Sequence, residues 1–350
     1  MVEKVLATLG VDCLLINSPT NTFYFAGYNN PECTIAVYCD GVVYYTDERY
    51  TAEARAIIPS SFELQAVSCV NYERITADMR AHGVAAVAVE MAYLTHKDFL
   101  ALAAALPEVR FVDCSSALAD CRTVKTDAEL DRIRRAAHAN DVAVESLLGR
   151  VREGMTELEM AYLMHLEYIK AGGEGIAFDT ICVFGDHTAY PHGHPTHRQL
   201  RRGDVVTIDF GTKVQGYCSD ITRNFCFGRP TDDYVEAYGH VLEANRRGIA
   251  AGYDGVSAKA LDAVSREYLA QVGLGQYFTH SLGHGVGIDI HEKPFLNTRS
   301  QDTITKGMVY TIEPGIYING KYGIRIEDLL YMSEEGPVLL SRCNKNLILL

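Results

Sequence analysis

The chain has 350 residues, of which 48% are hydrophobic, and a formal net charge of −13 from 32 basic and 45 acidic side chains. This length suits two globular domains, and the acidic balance argues against nucleic acid or an anionic membrane as a partner. No apolar run reaches the roughly 18 residues of a membrane span, and residues 1–7 lack the apolar core of a signal peptide. We therefore expect a cytoplasmic protein.

Residues 1–122 alternate between strand-like and helix-like runs, which predicts an α/β domain. Strands are predicted at 11–16, 34–38, 42–46, 62–67, 84–90 and 109–113, and helices near 50–58, 71–82 and 95–106. The segment 17–28 contains Ser18, Pro19 and Gly27 and is predicted to be a polar, aromatic loop. The domain has neither a GxGxxG motif nor a phosphate-binding loop, so its sequence indicates no chemistry of its own.

Residues 123–350 are predicted to form a second domain of α+β type with mainly antiparallel strands. Thr126 or Asp127 is expected to cap its first helix, and Thr156 and Glu159 form a capping box for the second. Helices are predicted from 126–127 to about 149, from 156 to about 172, and near 232–250 and 257–271. A strand is predicted at 178–184, and strand-rich sequence fills the remainder.

The ten cysteines are too scattered to indicate a disulfide framework or a structural zinc site. They lie at positions 13, 33, 39, 69, 114, 121, 182, 218, 226 and 343, without CxxC pairs. Cys218 shares a predicted strand face with Asp220, although a packed thiol is the simpler interpretation.

A first hairpin is predicted where two β-rich runs, 205–211 and 217–222, flank a polar turn. Each run carries one aspartate, Asp209 or Asp220. With the turn centred between residues 214 and 215, the two aspartates face each other directly, with Cβ atoms about 5 Å apart. Like charges this close on half-buried strands are costly unless a cation lies between them. A divalent metal ion is therefore predicted at this hairpin.

A second hairpin repeats this arrangement, because the runs 309–313 and 323–327 flank an Asn-Gly turn signal. A symmetry centre at residue 320 places Glu313 opposite Glu327. Between the two hairpins, the glycine-flanked His284 can supply an imidazole. Four carboxylates and one histidine suit a pair of Mn²⁺, Co²⁺ or Zn²⁺ ions, and two such ions with a shared water form a hydrolytic centre.

Several other polar residues near these motifs are secondary candidates. Arg325 lies two residues before Glu327 on the same predicted strand face, so it is expected to contact a carboxylate, and it is also a candidate substrate-binding residue. His187 is a weaker candidate for a substrate loop. His194 and His197, on either side of a proline, are predicted to be loop or specificity residues and not metal ligands.

Six short motifs together resemble the signature set of the pita-bread metallopeptidases, and most closely the Xaa-Pro dipeptidase (prolidase) and aminopeptidase P branch. These motifs are Ile208–Gly211, Ser219–Arg223, Gly283–Gly287, His291-Glu292, Glu313–Gly315 and Arg325–Asp328. The resemblance spans roughly residues 125–340, and the front domain fits the same branch. It implies a pita-bread catalytic domain over 123–350, preceded by a creatinase-like α/β domain over 1–122.

The resemblance also implies roles for five metal ligands. Asp209 chelates one ion, Asp220 and Glu327 bridge the two ions, and His284 and Glu313 complete the second. Each subunit would hold two divalent ions, with Mn²⁺ the first choice and Co²⁺, Zn²⁺ or Fe²⁺ as alternatives. A metal-bridging hydroxide would attack the scissile carbonyl while Glu313 shuttles its proton.

Substrate and assembly are likewise implied by the resemblance. His192 and His291 match two family histidines that contact the substrate and steady the tetrahedral intermediate. The substrate would be a proline-containing dipeptide or short peptide, cleaved at the bond to the proline nitrogen. Relatives are commonly homodimers, so a homodimer is expected.

Three departures from the family pattern favour aminopeptidase P-type cleavage of longer peptides as an alternative. Phe295 stands where dipeptidases often carry an arginine for the substrate carboxylate, a role that Arg299 could take over. Leu329 and the segment 184–187 also differ from the usual residues.

Three other functions on the same fold are weaker alternatives. Retention of all five ligands argues against a creatinase-like hydrolase and against a non-catalytic binding protein. Methionine aminopeptidases usually lack a front domain of about 120 residues.

Overall fold

The computed structural model describes residues 2–67 and 72–350 and separates the chain into two units, Met1–Arg122 and Thr123–Leu350. Cys69 and residue 71, the start of one predicted helix, lie outside the described residues. The nine cysteines that are described are free thiols. No helix in these ranges combines the length and apolar character that crossing a bilayer requires.

The first unit is built on one mixed sheet with the strand order β4-β3-β2-β1-β5-β6. Its described strands are β1 Cys13–Ile16, β2 Cys33–Tyr38, β3 Val42–Asp47, β4 Phe62–Val67, β5 Ala86–Val89 and β6 Arg110–Asp113. Its described helices are α1 Val2–Leu9, α2 Pro19–Ala26, α3 Thr51–Ile57, α4 Tyr72–Ala81, α5 His96–Ala105 and α6 Ser115–Thr123, with a short 3₁₀ turn at Glu48–Tyr50. The six predicted strands and the α/β class are confirmed.

Alternating residues of the central strand β1 divide the first unit into two apolar cores. Leu14 and Ile16 pack with residues of α1, α2, α3 and α6 on one face. Cys13 and Leu15 pack with residues of α4 and α5 on the other. Because the side-chain period of a strand is two, a strand buried on both faces supplies both cores and reads as a continuous apolar run.

The loop predicted over residues 17–28 is wrong, because its centre forms helix α2. The side chain of Ser18 caps this helix by accepting a hydrogen bond from the Asn21 N–H, and Pro19 occupies the first helical turn. Gly27 ends it with φ at 71°. Ser18 and Gly27 were the features of the sequence that indicated this helix, because eight residues are too few to show a clear helical periodicity of apolar side chains.

The second unit has four longer helices and short, mainly antiparallel strands. Its helices are α7 Asp127–Leu148, α8 Glu157–Lys170, α9 Asp232–Ala250 and α10 Ala258–Gln271, with 3₁₀ turns at Gly185–Ala189 and Gly275–Tyr277. Its strands are β7 Gly175–Ile176, β8 Ile181–Phe184, β9 Val205–Phe210, β10 Thr212–Val214, β11 Tyr217–Cys218, β12 Ile221–Cys226, β13 Val256–Ser257, β14 Gly283–Gly285, β15 Glu292–Leu296, β16 Thr303–Ile304, β17 Val309–Ile312, β18 Gly315–Ile318, β19 Tyr322–Arg325, β20 Asp328–Met332, β21 Pro337–Leu339 and β22 Ile348–Leu349. The four predicted helices are confirmed, including the capping boxes at Thr126 and Thr156.

Each half of this unit places a pair of helices on a sheet. Helices α7 and α8 share an apolar core with the sheet β22-β12-β9-β8. Helices α9 and α10 share another with residues of the sheet β15-β14-β17-β20-β21 and of the β18-β19 hairpin. The two halves therefore follow one plan, and each contributes one of the predicted hairpins.

The first hairpin turns one residue later than predicted. Lys213 pairs with Cys218, so the two-residue turn consists of Gln215 and Gly216. Their φ values of 47° and 80° are the positive pair that a type I′ turn requires. The sequence hid this turn because glutamine, unlike asparagine or glycine, seldom adopts a positive φ.

This later turn moves the register of the long strands by two residues. Asp209 in β9 lies opposite Thr222 in β12, and not opposite Asp220 as predicted. A shift of two residues keeps each side chain on its original face, whereas a shift of one would have reversed it. Both aspartates therefore still lie on one side of the hairpin.

The second hairpin has the predicted register. Gly315 pairs with Arg325 and Ile318 with Tyr322, which centres the turn on Gly320 with φ at 72°. The same symmetry continues beyond an interruption into β17 and β20, where Ile312 lies opposite Asp328. Glu313 and Glu327 occupy this interruption, so neither residue is part of the strand pairing on its two sides.

Gly211 allows the first hairpin to close beside the two aspartates. A Cβ atom there would lie 2.0 Å from the carbonyl oxygen of Ser219 and 2.9 Å from the ring of Phe178. Because the first of these neighbours is backbone, the strands would have to separate to admit any side chain.

We predict that Gly211→Ala destabilises the protein by about 1–3 kcal/mol, the usual cost of forcing extra volume into a packed interior. Thermal unfolding would show this as a lower melting temperature. Gly175→Ala is the matched control, because Gly175 lies in the neighbouring strand β7 and a Cβ there meets nothing within 4 Å. Equal melting temperatures for the two variants would contradict this account.

Candidate metal centre

The eight residues singled out by the sequence line one cavity in the second unit. Its volume is about 270 Å³. The candidate ligands and substrate contacts that line it are Asp209, Asp220, His284, Glu313, Glu327, His192, His291 and Arg325. Residues far apart in the chain thus converge as the two-hairpin prediction requires.

The four carboxylates reach the cavity from matching places in the two halves. Asp209 lies within β9 and Asp220 immediately before β12, while Glu313 follows β17 and Glu327 precedes β20. The main chain is also tied to the neighbouring elements, since the Glu313 N–H donates to the Leu282 carbonyl and the Glu327 N–H to the Thr222 carbonyl. The side chains are therefore presented by strand ends, which are more rigid than long loops.

His284 brings its imidazole to the same point from strand β14. Its Nε2 atom lies 3.5 Å from a carboxylate oxygen of Asp220 and 3.4 Å from one of Glu313. Its Nδ1 atom lies 3.1 Å from the Gly285 carbonyl and donates to it, which leaves Nε2 free to coordinate a metal. Asp220, His284 and Glu327 each offer a ligand atom, and these atoms lie within 4.8 Å of one another.

Burial favours the protonated forms of Asp220, Glu313 and Glu327 in the absence of a cation. Burial, and then the charges of nearby carboxylates, raise the pKa of Asp220 and of Glu327 well above the usual range. Burial likewise raises the pKa of Glu313 to about 8 and lowers that of His284 to about 4.

Two carboxylate oxygens of the site lack hydrogen-bond donors and are suited to coordinate a metal ion. Oδ1 of Asp209 and Oδ1 of Asp220 are buried, and no hydrogen-bond donor reaches either atom. Buried carboxylate oxygens without donors are rare in a finished fold. Divalent cations would satisfy them, and carboxylates with one imidazole are the donors that Mn²⁺, Co²⁺, Zn²⁺ and Fe²⁺ accept.

Arg325 contacts a carboxylate, as its place in the sequence suggested, but the carboxylate is that of Asp209. Its guanidinium donates to Oδ2 of Asp209 at 2.6 Å and to Oγ1 of Thr222 at 3.1 Å. Thr222 in turn donates to Glu327 at 2.7 Å. Asp209 and Glu327 are therefore joined through Arg325 and Thr222, the residue that lies opposite Asp209 in the hairpin.

Sequence reasoning missed His280 and Tyr317, which support the guanidinium of Arg325. The Tyr317 hydroxyl accepts from Arg325 at 2.6 Å and donates to Nε2 of His280 at 3.0 Å. Burial lowers the pKa of His280 to about 3, so the ring is neutral and its Nδ1–H donates to the Ser281 carbonyl at 2.8 Å. The hairpin register could have indicated Tyr317, which lies opposite Gly323 near Arg325.

His192 and His291 both line the cavity. Both side chains are exposed, and the ring of His291 lies 4.3 Å from that of His284, centre to centre. Burial of part of the ring lowers the pKa of His291, which favours its uncharged form. Neutral rings can donate or accept one hydrogen bond without adding charge to the site.

The secondary candidates occupy different places. His187 contacts Glu157 at 2.9 Å, and neither it nor His194 or His197 lines the cavity. Cys218 is a packed thiol whose Sγ lies 3.2 Å from the Ile288 carbonyl.

The two residues discussed for the substrate carboxylate also separate. Phe295 lines the cavity, whereas Arg299 does not.

Comparison with known proteins identifies both parts of the chain. The model for Metallopeptidase family M24 matches residues 131–334, and that for the Creatinase/Prolidase N-terminal domain matches residues 2–124. The Xaa-Pro dipeptidase of Pyrococcus furiosus is 33% identical over 352 residues, covering 99% of this chain and 97% of the relative.

Solved structures agree with this assignment. The Xaa-Pro dipeptidase from Bacillus anthracis superimposes with a TM-score of 0.96 at 32% identity, covering 100% of this chain and 99% of that one. The X-Pro aminopeptidase from Thermotoga maritima gives a TM-score of 0.91 at 32% identity, covering 99% and 100%. The family resemblance and the pita-bread fold expected from the sequence are confirmed: this chain is a metallopeptidase of family M24, whose catalytic domain follows a creatinase/prolidase N-terminal domain.

Proposed function

We propose that this enzyme is a dinuclear metallopeptidase that hydrolyses the Xaa-Pro bond of short peptides. The observation that carries the proposal is the convergence of four carboxylates and the open Nε2 of His284 on one cavity. The relatives named Xaa-Pro dipeptidase and X-Pro aminopeptidase support the choice of bond.

Five residues would hold the metal ions. Asp220, His284 and Glu327 already cluster, and Asp209 and Glu313 line the same cavity. Mn²⁺ is our first choice, because hard carboxylate oxygens dominate the ligands. When bound, the ions would supply a water-derived nucleophile at neutral pH and would polarise the scissile carbonyl.

Other steps fall to the side chains themselves. Glu313 would accept the proton of the nucleophile at a carboxylate oxygen and pass it to the leaving proline nitrogen. His192 and His291 would donate to the oxygen that gains charge in the tetrahedral intermediate. Arg325 would keep Asp209 oriented toward the metals and would remain charged at any working pH.

The composition of the cavity wall favours peptides longer than a dipeptide. Phe178, Ile181, Ile290 and Phe295 give it an apolar side that suits a proline ring. Of the described residues that line it, Arg325 is the single arginine or lysine, and its guanidinium already contacts Asp209. The free carboxylate of a dipeptide would therefore meet no unengaged cation on this wall, whereas a longer peptide presents a neutral amide there.

We predict that the Mn²⁺-loaded enzyme cleaves a tripeptide with proline second faster than a dipeptide ending in proline. The measurement is kcat/KM for the two peptides in parallel, with Ala-Ala as the control for proline selectivity. Faster cleavage of the dipeptide would make the enzyme a prolidase and would mean that another group binds the carboxylate. Failure on both peptides with metal bound would refute the proposed function.

Asp220→Asn tests the link between metal and hydrolysis. The change keeps the side-chain volume and removes the charge, so we expect loss of bound Mn²⁺ and of activity together. Metal content is measured by elemental analysis after gel filtration. Asp289→Asn is a suitable control, because Asp289 lies in the neighbouring loop but does not line the cavity. A metal-free protein that still hydrolysed peptides would contradict the proposal.

The raised pKa of Glu313 predicts how the metal-free enzyme responds to pH. Its folded pKa of about 8 exceeds the ordinary value of 4.5, so the folded state holds the proton more tightly. The associated stability is complete below pH 4.5 and is lost as the pH rises through 8. We expect the metal-free wild type to lose more stability between pH 6 and pH 8 than Glu313→Gln, which stays neutral. Denaturant unfolding with chelator measures the difference, and parallel pH profiles would contradict it.

We also propose that the enzyme is a homodimer, as its relatives commonly are. Light scattering coupled to size exclusion would give twice the mass of one chain. A single-chain mass at working concentration would refute this proposal.

A further inference from the structure

Glu157, at the start of helix α8, is a completely buried carboxylate outside the metal site. Its side chain has 0% exposure. The partners that the described residues give it are hydrogen-bond donors of neighbouring backbone and side chains, with no arginine or lysine among them. Its place in the first turn lets the positive end of the helix dipole favour the negative charge.

All of these donors belong to one segment, residues 184–196. Oε1 of Glu157 accepts from the Phe184 N–H at 2.8 Å and contacts Nδ1 of His187 at 2.9 Å. Oε2 accepts from the N–H of Thr196 at 2.9 Å and from its hydroxyl at 2.6 Å. The carboxylate therefore ties together the beginning and the end of the segment.

The middle of this segment carries His192 to the cavity. Pro191 and His192 both line it, and the Pro191 carbonyl accepts from Arg325 at 3.1 Å. Thr188 forms a second anchor, since its hydroxyl accepts from the Gly323 N–H at 2.8 Å. His192 lies between these anchors and Thr196, and its exposed side chain is positioned by the main chain that they hold.

We infer that Glu157 is a positioning residue that fixes the 184–196 segment and thereby holds His192 at the cavity. The inference rests on the proposed function, in which His192 contacts the substrate. Because Glu157 does not line the cavity, it acts on catalysis only through this segment.

Only a carboxylate can accept from both ends of the segment at once. The amide of Glu157→Gln has one oxygen and one NH₂ group, so one of the two backbone N–H donors, Phe184 or Thr196, would face another donor. His187 can adapt by changing its tautomer, but a backbone N–H cannot. The substitution would therefore release one end of the segment while keeping the shape of the side chain.

Glu159→Gln provides a matched control. Glu159 lies two residues later in the same turn of the same helix, and its exposed carboxylate accepts from the N–H and hydroxyl of Thr156. Both variants lose one charge near the helix start. Only Glu157→Gln alters contacts with the 184–196 segment.

Hydrogen exchange of the metal-loaded protein, read by mass spectrometry, tests the anchoring. We expect Glu157→Gln to speed exchange in peptides covering 184–196 and to leave strands β9 and β12 unchanged, while Glu159→Gln matches the wild type there. Unchanged exchange in 184–196 for Glu157→Gln would overturn the inference. If that variant does not fold, Thr196→Val removes one donor to the same carboxylate and should give a smaller change at the same place.

A double-mutant cycle on the peptidase reaction tests the route through His192. We expect Glu157→Gln to lower kcat/KM about ten- to hundredfold, mostly in kcat, because small displacements of a reacting group have effects of this size. In a His192→Ala background the same change should cost less than about threefold, because the group it positions is gone. Equal losses in both backgrounds, or equal losses for Glu157→Gln and Glu159→Gln, would overturn the inference.

These two measurements separate failure of the inference from failure of the proposed function. If the wild type binds two metals but cleaves no proline peptide, the proposed function fails, and hydrogen exchange still decides whether Glu157 holds the segment. If the wild type is active and the cycle is additive, the proposed function stands and the inference fails.

Discussion

Electrostatic repulsion among buried carboxylates is the constraint on which the second unit depends. Four of them share one cavity with a single guanidinium, and two of their oxygens lack any hydrogen-bond donor. At an effective dielectric constant near 20, like charges about 4 Å apart repel by about 4 kcal/mol per pair. Burial and repulsion raise the pKa of Asp220 and of Glu327 in the metal-free fold, so metal binding is coupled to the release of protons. Metal affinity, stability and pH are therefore linked through these residues.

The scaffold keeps the carboxylates together by using strand ends as supports. In each half, a helix pair covers the outer face of a sheet, while a hairpin brings two acidic residues to the inner side. Thr222 and Arg325 then join the halves, since one contacts Glu327 and both contact each other beside Asp209. A displacement of one strand end, such as a side chain at Gly211 would cause, would shift the carboxylates of the metal site, because the contacts between them are short and buried.

Much of this arrangement could be predicted because it depends on strand periodicity. Asp209 and Asp220 were placed on one face even though the turn was misplaced by one residue, since the resulting shift of two preserves side-chain direction. The second hairpin was placed correctly because Asn319-Gly320 is an unambiguous turn signal. His280 and Glu157 escaped prediction for the opposite reason. Their partners lie in distant segments of the chain, and a local periodicity of apolar residues carries no information about such contacts. Helix α2 was missed because eight residues are too few to show a helical periodicity.

Glu327 and Asp328 show how the fold distinguishes a functional carboxylate from a structural one. Glu327 lies immediately before β20 and Asp328 is its first residue, and both side chains are almost completely buried. Burial raises the pKa of each, but Arg223 and Lys345 contact Asp328 at 2.8 and 2.5 Å and hold its pKa below the usual value. Glu327 faces other carboxylates and its pKa rises. Glu157 resembles Asp328 in being saturated by partners, although its partners are backbone N–H groups, a hydroxyl and an imidazole, with no arginine or lysine among them. A buried acid whose hydrogen bonds are complete stabilises the scaffold, whereas a buried acid that faces other carboxylates needs a cation to offset their repulsion.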